Sequence, residues 1–151
     1  MAFKIQKFKT ERQDLSSIAF SIRQSVFVDE QHVSPDEEYD EYEAESQHFL
    51  IEVDGQPAGT ARWRFTPKGI KLERFAILPV FRNKGAGTAL LKAVLDDVLK
   101  ESGQIYLHAQ VAAMNLYFRA GFRAEGDLFY EAGIPHYRMI FSNAETEGLG
   151  N

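Results

Sequence analysis

Apolar residues along this chain follow two rhythms, and the rhythm changes near the middle. Phe3, Ile5 and Phe8 predict a short first strand whose alternation slips at its end. Leu15, Ile18, Ala19, Ile22 and Val26 then recur at helical spacing and form one apolar stripe, with Thr10 or Asp14 as the cap. An acidic stretch containing Pro35 follows and predicts an exposed loop or a short helix. Phe49–Val53 predicts a strand, Asp54-Gly55 a hairpin turn, and Ala58–Phe65 the returning arm. Pro67-Lys68-Gly69 turns the chain again, into a strand over Ile70–Ile77. Residues 47–77 therefore read as an antiparallel meander.

The second half is spaced differently. Leu90, Leu91, Val94, Leu95, Val98 and Leu99 predict a helix from Gly87 to about Glu101, ended by Ser102-Gly103. Ile105–Gln110 is a short strand, Ala112–Ala120 a second helix closed by Gly121, and Phe122–Glu125 and Ile134–Phe141 are closing strands. Strand, helix and strand over residues 70–110 make a βαβ unit, which requires parallel strands and a right-handed crossover. A meander joined to such a unit gives an α/β architecture with a mixed (α+β) sheet.

Composition narrows the classes. The 151 residues suit one domain spanning 1–151, and an apolar fraction of 44% is enough to bury a core. With no Cys there is no disulfide frame, zinc-thiolate site or thiol nucleophile. No apolar run approaches the ~20 residues that span a bilayer. Met1–Thr10 carries lysines without an apolar segment behind them, so a cytoplasmic location is the expectation. Ser142–Asn151 is small and polar and reads as a loose tail. The net charge of −5 argues against nucleic acid or a membrane as partner. Asp36–Glu45 alone holds seven acids and no base, so the rest of the chain is mildly basic at +2. That stretch is either a solvated loop or a field that draws a cationic acceptor. His32 and the acids form no recognisable metal spacing, and no metal is expected.

The sharpest chemical feature is Arg82-Asn83-Lys84-Gly85-Ala86-Gly87-Thr88, after an apolar strand and at the start of an apolar helix. Two glycines let a bulky anion approach the backbone. Free amides and the positive end of the helix dipole favour phosphate, and Arg82 and Lys84 add charge. Other phosphate motifs do not fit. A P-loop needs Gly-Lys-Ser/Thr, where this chain has Lys84-Gly85-Ala86. A dinucleotide fingerprint needs a small residue where Leu90 stands and an acid where Gln110 stands.

In this region the chain resembles the GCN5-related N-acetyltransferase (GNAT) superfamily. That family's acetyl-CoA motif is Arg/Gln-x-x-Gly-x-Gly/Ala after a strand ending in an apolar-x-Pro turn. Here Ile77-Leu78-Pro79 leads into Arg82-Asn83-Lys84-Gly85-Ala86-Gly87. A second block, Tyr117 four residues before Gly121-Phe122, matches the family's Tyr helix. Arg23 to Gln31, the acidic stretch, His108-Ala109-Gln110 and Gly133 to Met139 are similar to the bacterial ElaA/YjcF-like branch. One departure is Gln110, where many relatives carry Asn.

The resemblance implies acetyl-CoA as cosubstrate, lying between the strands that end at Ile77 and Gln110. Backbone groups of Phe75, Ala76 and Ile77 would meet the pantetheine and polarise the thioester carbonyl. Amides from Arg82 to Thr88 would hold the pyrophosphate. Tyr117 matches the general acid for the leaving thiolate; the other reading is a packed aromatic. The acceptor is expected to be an amine, small or on a protein, that attacks directly in a ternary complex after losing a proton. Glu73 is the first candidate base. Strand alternation places it with Phe75 and Ile77, where burial would raise its pKa; the alternative is a carboxylate paired with Arg74, Arg62 or Arg64. His136 is the second candidate, and His48 and His108 rank below it. His108 alternates with Tyr106 and Gln110, toward the cofactor cleft. Acceptor contacts are expected from Arg23, Phe27, Glu30, Glu73 and His136, with Arg23 and Arg138 available to an acceptor carboxylate. A homodimer is carried by the resemblance alone. A non-catalytic acetyl-CoA sensor or subunit is the competing functional class.

Overall fold

The structure is a computed structural model and describes residues 1–142. The expected loose tail over 142–151 therefore lies, beyond Ser142, outside the described residues. The elements are β1 (Phe3–Phe8), α1 (Gln13–Arg23), α2 (Pro35–Glu38), β2 (Gln47–Val53), β3 (Gln56–Thr66), β4 (Gly69–Ile77), α3 (Ala86–Val98), β5 (Ile105–Gln110), α4 (Met114–Ala120), β6 (Phe122–Glu131) and β7 (Ile134–Phe141). A π-helical segment, Gln24–Glu30, continues α1. The strands form one mixed sheet in the order β1-β2-β3-β4-β5-β7-β6, parallel only between β4 and β5. Among the described residues no helix is long and apolar enough to cross a membrane.

Both faces of the sheet are covered, which explains the apparent slip in β1. Ile5 packs toward the core under α3, whereas Phe8 belongs to the core under α1. Along α3, Leu90, Leu91, Val94, Leu95 and Val98 are buried against the sheet, each worth ~1.5–3 kcal/mol for leaving water. Leu99 falls past the end of that helix and is exposed. On the other face Leu15, Ala19 and Ile22 of α1 pack with Val26, Phe27, Leu50 and Ala76.

Several boundaries differ from expectation for local reasons. Neither Thr10 nor Asp14 caps α1; Arg12 occupies that position without a side-chain cap. Instead the Ser16 hydroxyl donates to the Thr10 carbonyl at 3.0 Å. The acidic stretch begins in the short helix α2, capped by Ser34, and continues into turns over residues 41–45. Strand β6 runs six residues past Glu125 to Glu131, because a register shift around Gly126 (φ 82°) absorbs what reads as a turn.

Two features of β4 position the site. Its pairing with β3 passes from Arg62↔Glu73 to Thr60↔Ala76, so Arg74 and Phe75 bulge opposite the single residue Ala61. Arg74 is left-handed at φ 61°. The bulge inverts the alternation. Leu72 and Phe75 both face the α3 core, and Glu73 turns to the α1 face. The expectation that Glu73 shares a face with Phe75 and Ile77 is thereby overturned. On the other edge, β4 pairs with β5 only at Ile70↔Ile105, Lys71↔Tyr106 and Leu72↔Leu107. Beyond Leu72 and Leu107 the strands part.

Gly59 on β3 lets β4 sit close at this point. A Cβ there would collide with Ile77 Cδ1 and stand 2.7 Å from the Ala76 carbonyl oxygen. Gly59→Ala should cost about 1–3 kcal/mol, as overpacking does, and push out the end of β4. Urea denaturation and acetyl-CoA calorimetry on the variant test this. Unchanged stability with unchanged affinity would show that the close approach is unimportant.

Candidate active site

The parting of β4 and β5 opens a cleft of about 620 Å3. One wall carries Phe75, Ala76 and Ile77 of β4, and the other carries Leu107, His108 and Gln110 of β5. The start of α3, the face of α4, and the π-helical segment close the remaining sides. Strand edges that separate leave backbone groups without ladder partners, so the cleft wall can hydrogen-bond a ligand.

The glycine-rich turn forms one end. Gly85, at the N-cap of α3, is left-handed at φ 88°, a conformation that glycine adopts without strain. The first backbone bond into the helix runs from the Ala89 amide to the Gly85 carbonyl at 3.0 Å, leaving earlier amides outside the ladder. A Cβ on Gly87 would touch only Ile77 and Leu116, each at an ordinary 3.9 Å. The protein alone therefore has room for a side chain there. Because Gly87 lines the cleft, a methyl would fill ligand space instead. Free amides, a helix N-terminus and a cradle that a Cβ would fill suit a pyrophosphate-bearing cofactor.

The cations of this turn behave differently from expectation. The Arg82 side chain donates from Nε to the Ile77 carbonyl at 2.8 Å and through both terminal nitrogens to Glu30, at 2.7 and 2.6 Å. Arg82 thus ties the turn to β4 and to the π-helical segment, and its charge is largely answered by Glu30. Glu30 correspondingly does not line the cleft. Lys84 is exposed and lies outside the lining, and Ala86 is buried in the core. Arg82, Asn83, Gly85, Gly87 and Thr88 do line it.

Tyr117 projects from α4 into the cleft wall. Its ring packs edge-on against Phe75 and Phe122, with centroids 6.0 and 5.9 Å away. Burial holds its hydroxyl well above the usual tyrosine range, so it stays protonated. Gln110 lines the cleft and donates from Nε2 to Gln31 at 2.9 Å, bridging β5 to the segment after the π-helix. Phe27 and His136 are also in the lining.

Arg23, expected to contact the acceptor, is 1% exposed and cannot. It donates to Glu38 at 2.7 Å and to both oxygens of Glu43 at 2.9 and 2.8 Å. Arg62, fully buried, donates to Asp40, Glu43 and Glu73. Glu38, Asp40 and Glu43 of the acidic stretch are thus folded inward onto arginines, while Asp36, Glu37, Glu41 and Glu45 remain exposed. The stretch is neither wholly solvated nor wholly free to meet an acceptor. Glu37 and Glu38 still reach the cleft lining.

Glu73 lines the cleft but within this network. Its Oε1 accepts from Arg62 Nη2 at 2.9 Å and Arg64 Nε at 2.5 Å, and Oε2 lies 3.5 Å from Lys71. Burial pushes the carboxyl up, but Arg62, Lys71 and Arg64 outweigh it and hold it below the ordinary range. The expected rise toward neutrality is corrected. The two cleft imidazoles are placed otherwise. His136 has Nδ1 2.6 Å from the Ile134 carbonyl, so that nitrogen carries the proton and Nε2 the lone pair. His108, ranked low on sequence, has Nδ1 2.5 Å from Glu131 Oε1, and both line the cleft. Glu131 lies six residues past the expected end of β6, so nothing in the sequence pattern pointed to it.

The network has a pH signature. Burial pushes Asp40 and Glu43 up as well, but Arg62 and Arg23 overcome it, so both, like Glu73, sit below ordinary values. As pH falls the unfolded chain takes up protons first, so their stability contribution is full above the ordinary range and lost through the lowered values. Glu38, raised by burial, acts in the opposite sense. Three against one, the thermal midpoint should fall as pH drops below about 4. Calorimetry across that window checks it; a midpoint that rises on acidification contradicts it.

The chain matches the Acetyltransferase (GNAT) domain family model over residues 10–142. It is 38% identical over 125 residues to the uncharacterized N-acetyltransferase YjcF of Bacillus subtilis, covering 81% of this chain and 89% of the relative. Its fold superposes on Escherichia coli ElaA with a TM-score of 0.82 at 21% identity, covering 93% and 100% of the two chains. A Bacillus subtilis acetyltransferase in complex with CoA has the same fold at a TM-score of 0.69 and 16% identity, with 94% and 99% covered. The protein belongs to the GNAT acetyltransferase family of acyltransferases.

Proposed function

We propose that the protein transfers acetyl from acetyl-CoA to a primary amine, by direct attack within a ternary complex. The observation that carries this reading is the split between β4 and β5, which opens onto the glycine cradle at one end and onto Tyr117 within. Neighbours of the same fold are seen with CoA or acetyl-CoA bound, which supports the same cosubstrate here. Acetyl-CoA supplies the activated acyl group as a thioester.

The residues present divide the work. Amides at the start of α3, with Gly87 leaving space, hold the pyrophosphate. The β4 edge from Phe75 to Ile77 orients the thioester and polarises its carbonyl. Tyr117, kept protonated by burial, donates to the departing sulfur. Gln110 at the end of β5 borders the cofactor, and Phe27, His136 and Glu73, which line the same cleft, flank the acceptor. Of these last two, His136 offers a free ring nitrogen, whereas Glu73 is engaged by Arg62, Arg64 and Lys71, with Arg74 at 4.0 Å. The acceptor amine is small or protein-borne.

A panel of primary amines with acetyl-CoA at ~0.1–1 mM, read by thiol release, tests the reading. Turnover of at least one amine is expected. Acetyl-CoA binding without turnover of any amine would favour the cofactor-sensing class instead, and failure to bind acetyl-CoA would end both.

A further inference from the structure

We propose that the proton acceptor for the incoming amine is His108, oriented by Glu131, and not Glu73 or His136. This assignment rests on the acetyl-transfer reading above. Four observations carry it. First, the last β4–β5 pair is Leu72↔Leu107, so His108 is the first β5 residue beyond the split and stands at its apex. Second, Leu107 and Ala109 belong to the core under α3, so the pleat turns His108 to the opposite, acceptor-side face, where it lines the cleft. Third, Glu131 Oε1 lies 2.5 Å from His108 Nδ1. A carboxylate only accepts, so Nδ1 carries the proton and Nε2 presents its lone pair. Fourth, the ring is held by edge contact with Phe129, at a centroid distance of 5.0 Å and an interplanar angle of 78°.

The competitors are placed worse for the same task. Glu73 is the corresponding first residue on β4, but its oxygens already face Arg62, Arg64 and Lys71. His136 pairs with Gln110 in the register, two residues further from the apex, and is held by a backbone carbonyl, which carries no full charge. A carboxylate behind an imidazole fixes the tautomer and stabilises the imidazolium that forms when a proton arrives. Glu131 is therefore a positioning residue. Burial pushes its carboxyl up, and the hydrogen bond from His108, with the positive charge of Lys71 nearby, outweighs it and brings the carboxyl below its ordinary value, so it is ionised at neutral pH. The charged and titratable groups on this face are Arg64 from β3, Lys71, Glu73 and Arg74 from β4, Tyr106 from β5, His136 and Arg138 from β7, and Glu37 and Glu38 from α2.

In the reaction, the acceptor ammonium gives one proton to His108 Nε2. The freed lone pair on nitrogen forms the C–N bond to the thioester carbonyl carbon, and the C–S bond breaks with its electron pair on sulfur. The second nitrogen proton reaches that sulfur by way of Tyr117. The imidazolium returns its proton to water, so one proton is released per amide formed.

The test uses His108→Gln and Glu131→Gln with an amine that the wild type acetylates. His108→Gln should lower kcat/KM by ~10²–10⁴ near neutral pH and remove the ascending limb of the pH profile. Glu131→Gln should keep that limb but displace it, an effect that mere loss of packing would not produce. Acetyl-CoA affinity by calorimetry should stay within a few-fold in both, which also reports folding. A second readout needs no acceptor: nitrogen-15 shifts should show the His108 ring protonated at Nδ1, and Glu131→Gln should weaken that preference. An active wild type whose ascending limb survives in His108→Gln overturns the dyad and leaves the acetyl-transfer reading standing, as does a limb that only His136→Gln abolishes. A His108 ring protonated at Nε2 in the wild type also overturns it. A wild type that binds acetyl-CoA but acetylates no amine removes the acetyl-transfer reading, and the dyad's catalytic role with it.

Discussion

Replacing Arg62 with Met should lower stability by about 3–5 kcal/mol, the usual cost of removing one partner from a buried ion pair. Arg62 is 0% exposed and answers Asp40, Glu43 and Glu73 at once. Burial alone would favour its neutral form, yet those carboxylates hold the guanidinium even more firmly charged than usual. Methionine fits the volume but leaves three carboxylates without their common cation. For a chain of this size each kcal/mol shifts the thermal midpoint by ~2–4 °C, so the midpoint should drop by about 6–20 °C. Urea denaturation should show a lower midpoint concentration. Arg12 is the contrast: its pair with Asp14 is exposed, and Arg12→Ala should leave the midpoint where it is. An Arg62→Met protein that melts with the wild type would mean that the network is a neutral exchange of charge for packing.

Tyr117→Phe should reduce kcat by ~10²–10⁴ while acetyl-CoA affinity stays near that of the wild type. The ring supplies the packing, through edge contacts with Phe75 and Phe122, and phenylalanine keeps it. Only the hydroxyl is lost. Because burial already holds that hydroxyl protonated through the neutral range, the wild type should show no descending limb from Tyr117 near pH 8. Steady-state kinetics with calorimetry separates the outcomes. A matching loss of affinity would mean that Tyr117 shapes the cofactor site instead, and an unchanged kcat would remove it from proton transfer.

Much of this site was legible in the chain because it is local. Arg82 to Thr88 occupies one turn, so neighbouring residues set its conformation, with Gly85 left-handed at the helix start and room beside Gly87. The helix that carries Tyr117, and the Gly121 that closes it, were likewise local. The pairing of Glu73 with Arg62 and Arg64 was one of the two readings the sequence allowed, but its face was misread for a reason that no periodicity reveals. The bulge at Arg74 depends on how β3 meets β4, and one extra residue reverses the face of everything before it. Arg23 was misread because its partners, Glu38 and Glu43, lie 15 and 20 residues away.

The sequence by itself determined the rhythm of strands and helices, the parallel crossover through α3, the glycine turn that opens that helix, and the family. These follow from spacing and from residues close together in the chain. The tertiary structure alone decided which charges are spent. The acidic stretch looks like a free negative field in sequence, but three of its acids close onto Arg23, Arg62 and Arg74. It also decided which imidazole receives a carboxylate, since His108 and Glu131 are 23 residues apart and meet only when β6 and β7 fold back beside β5. Ion pairs and proton relays depend on distances of a few ångströms between remote residues, and those distances exist only once the sheet has closed.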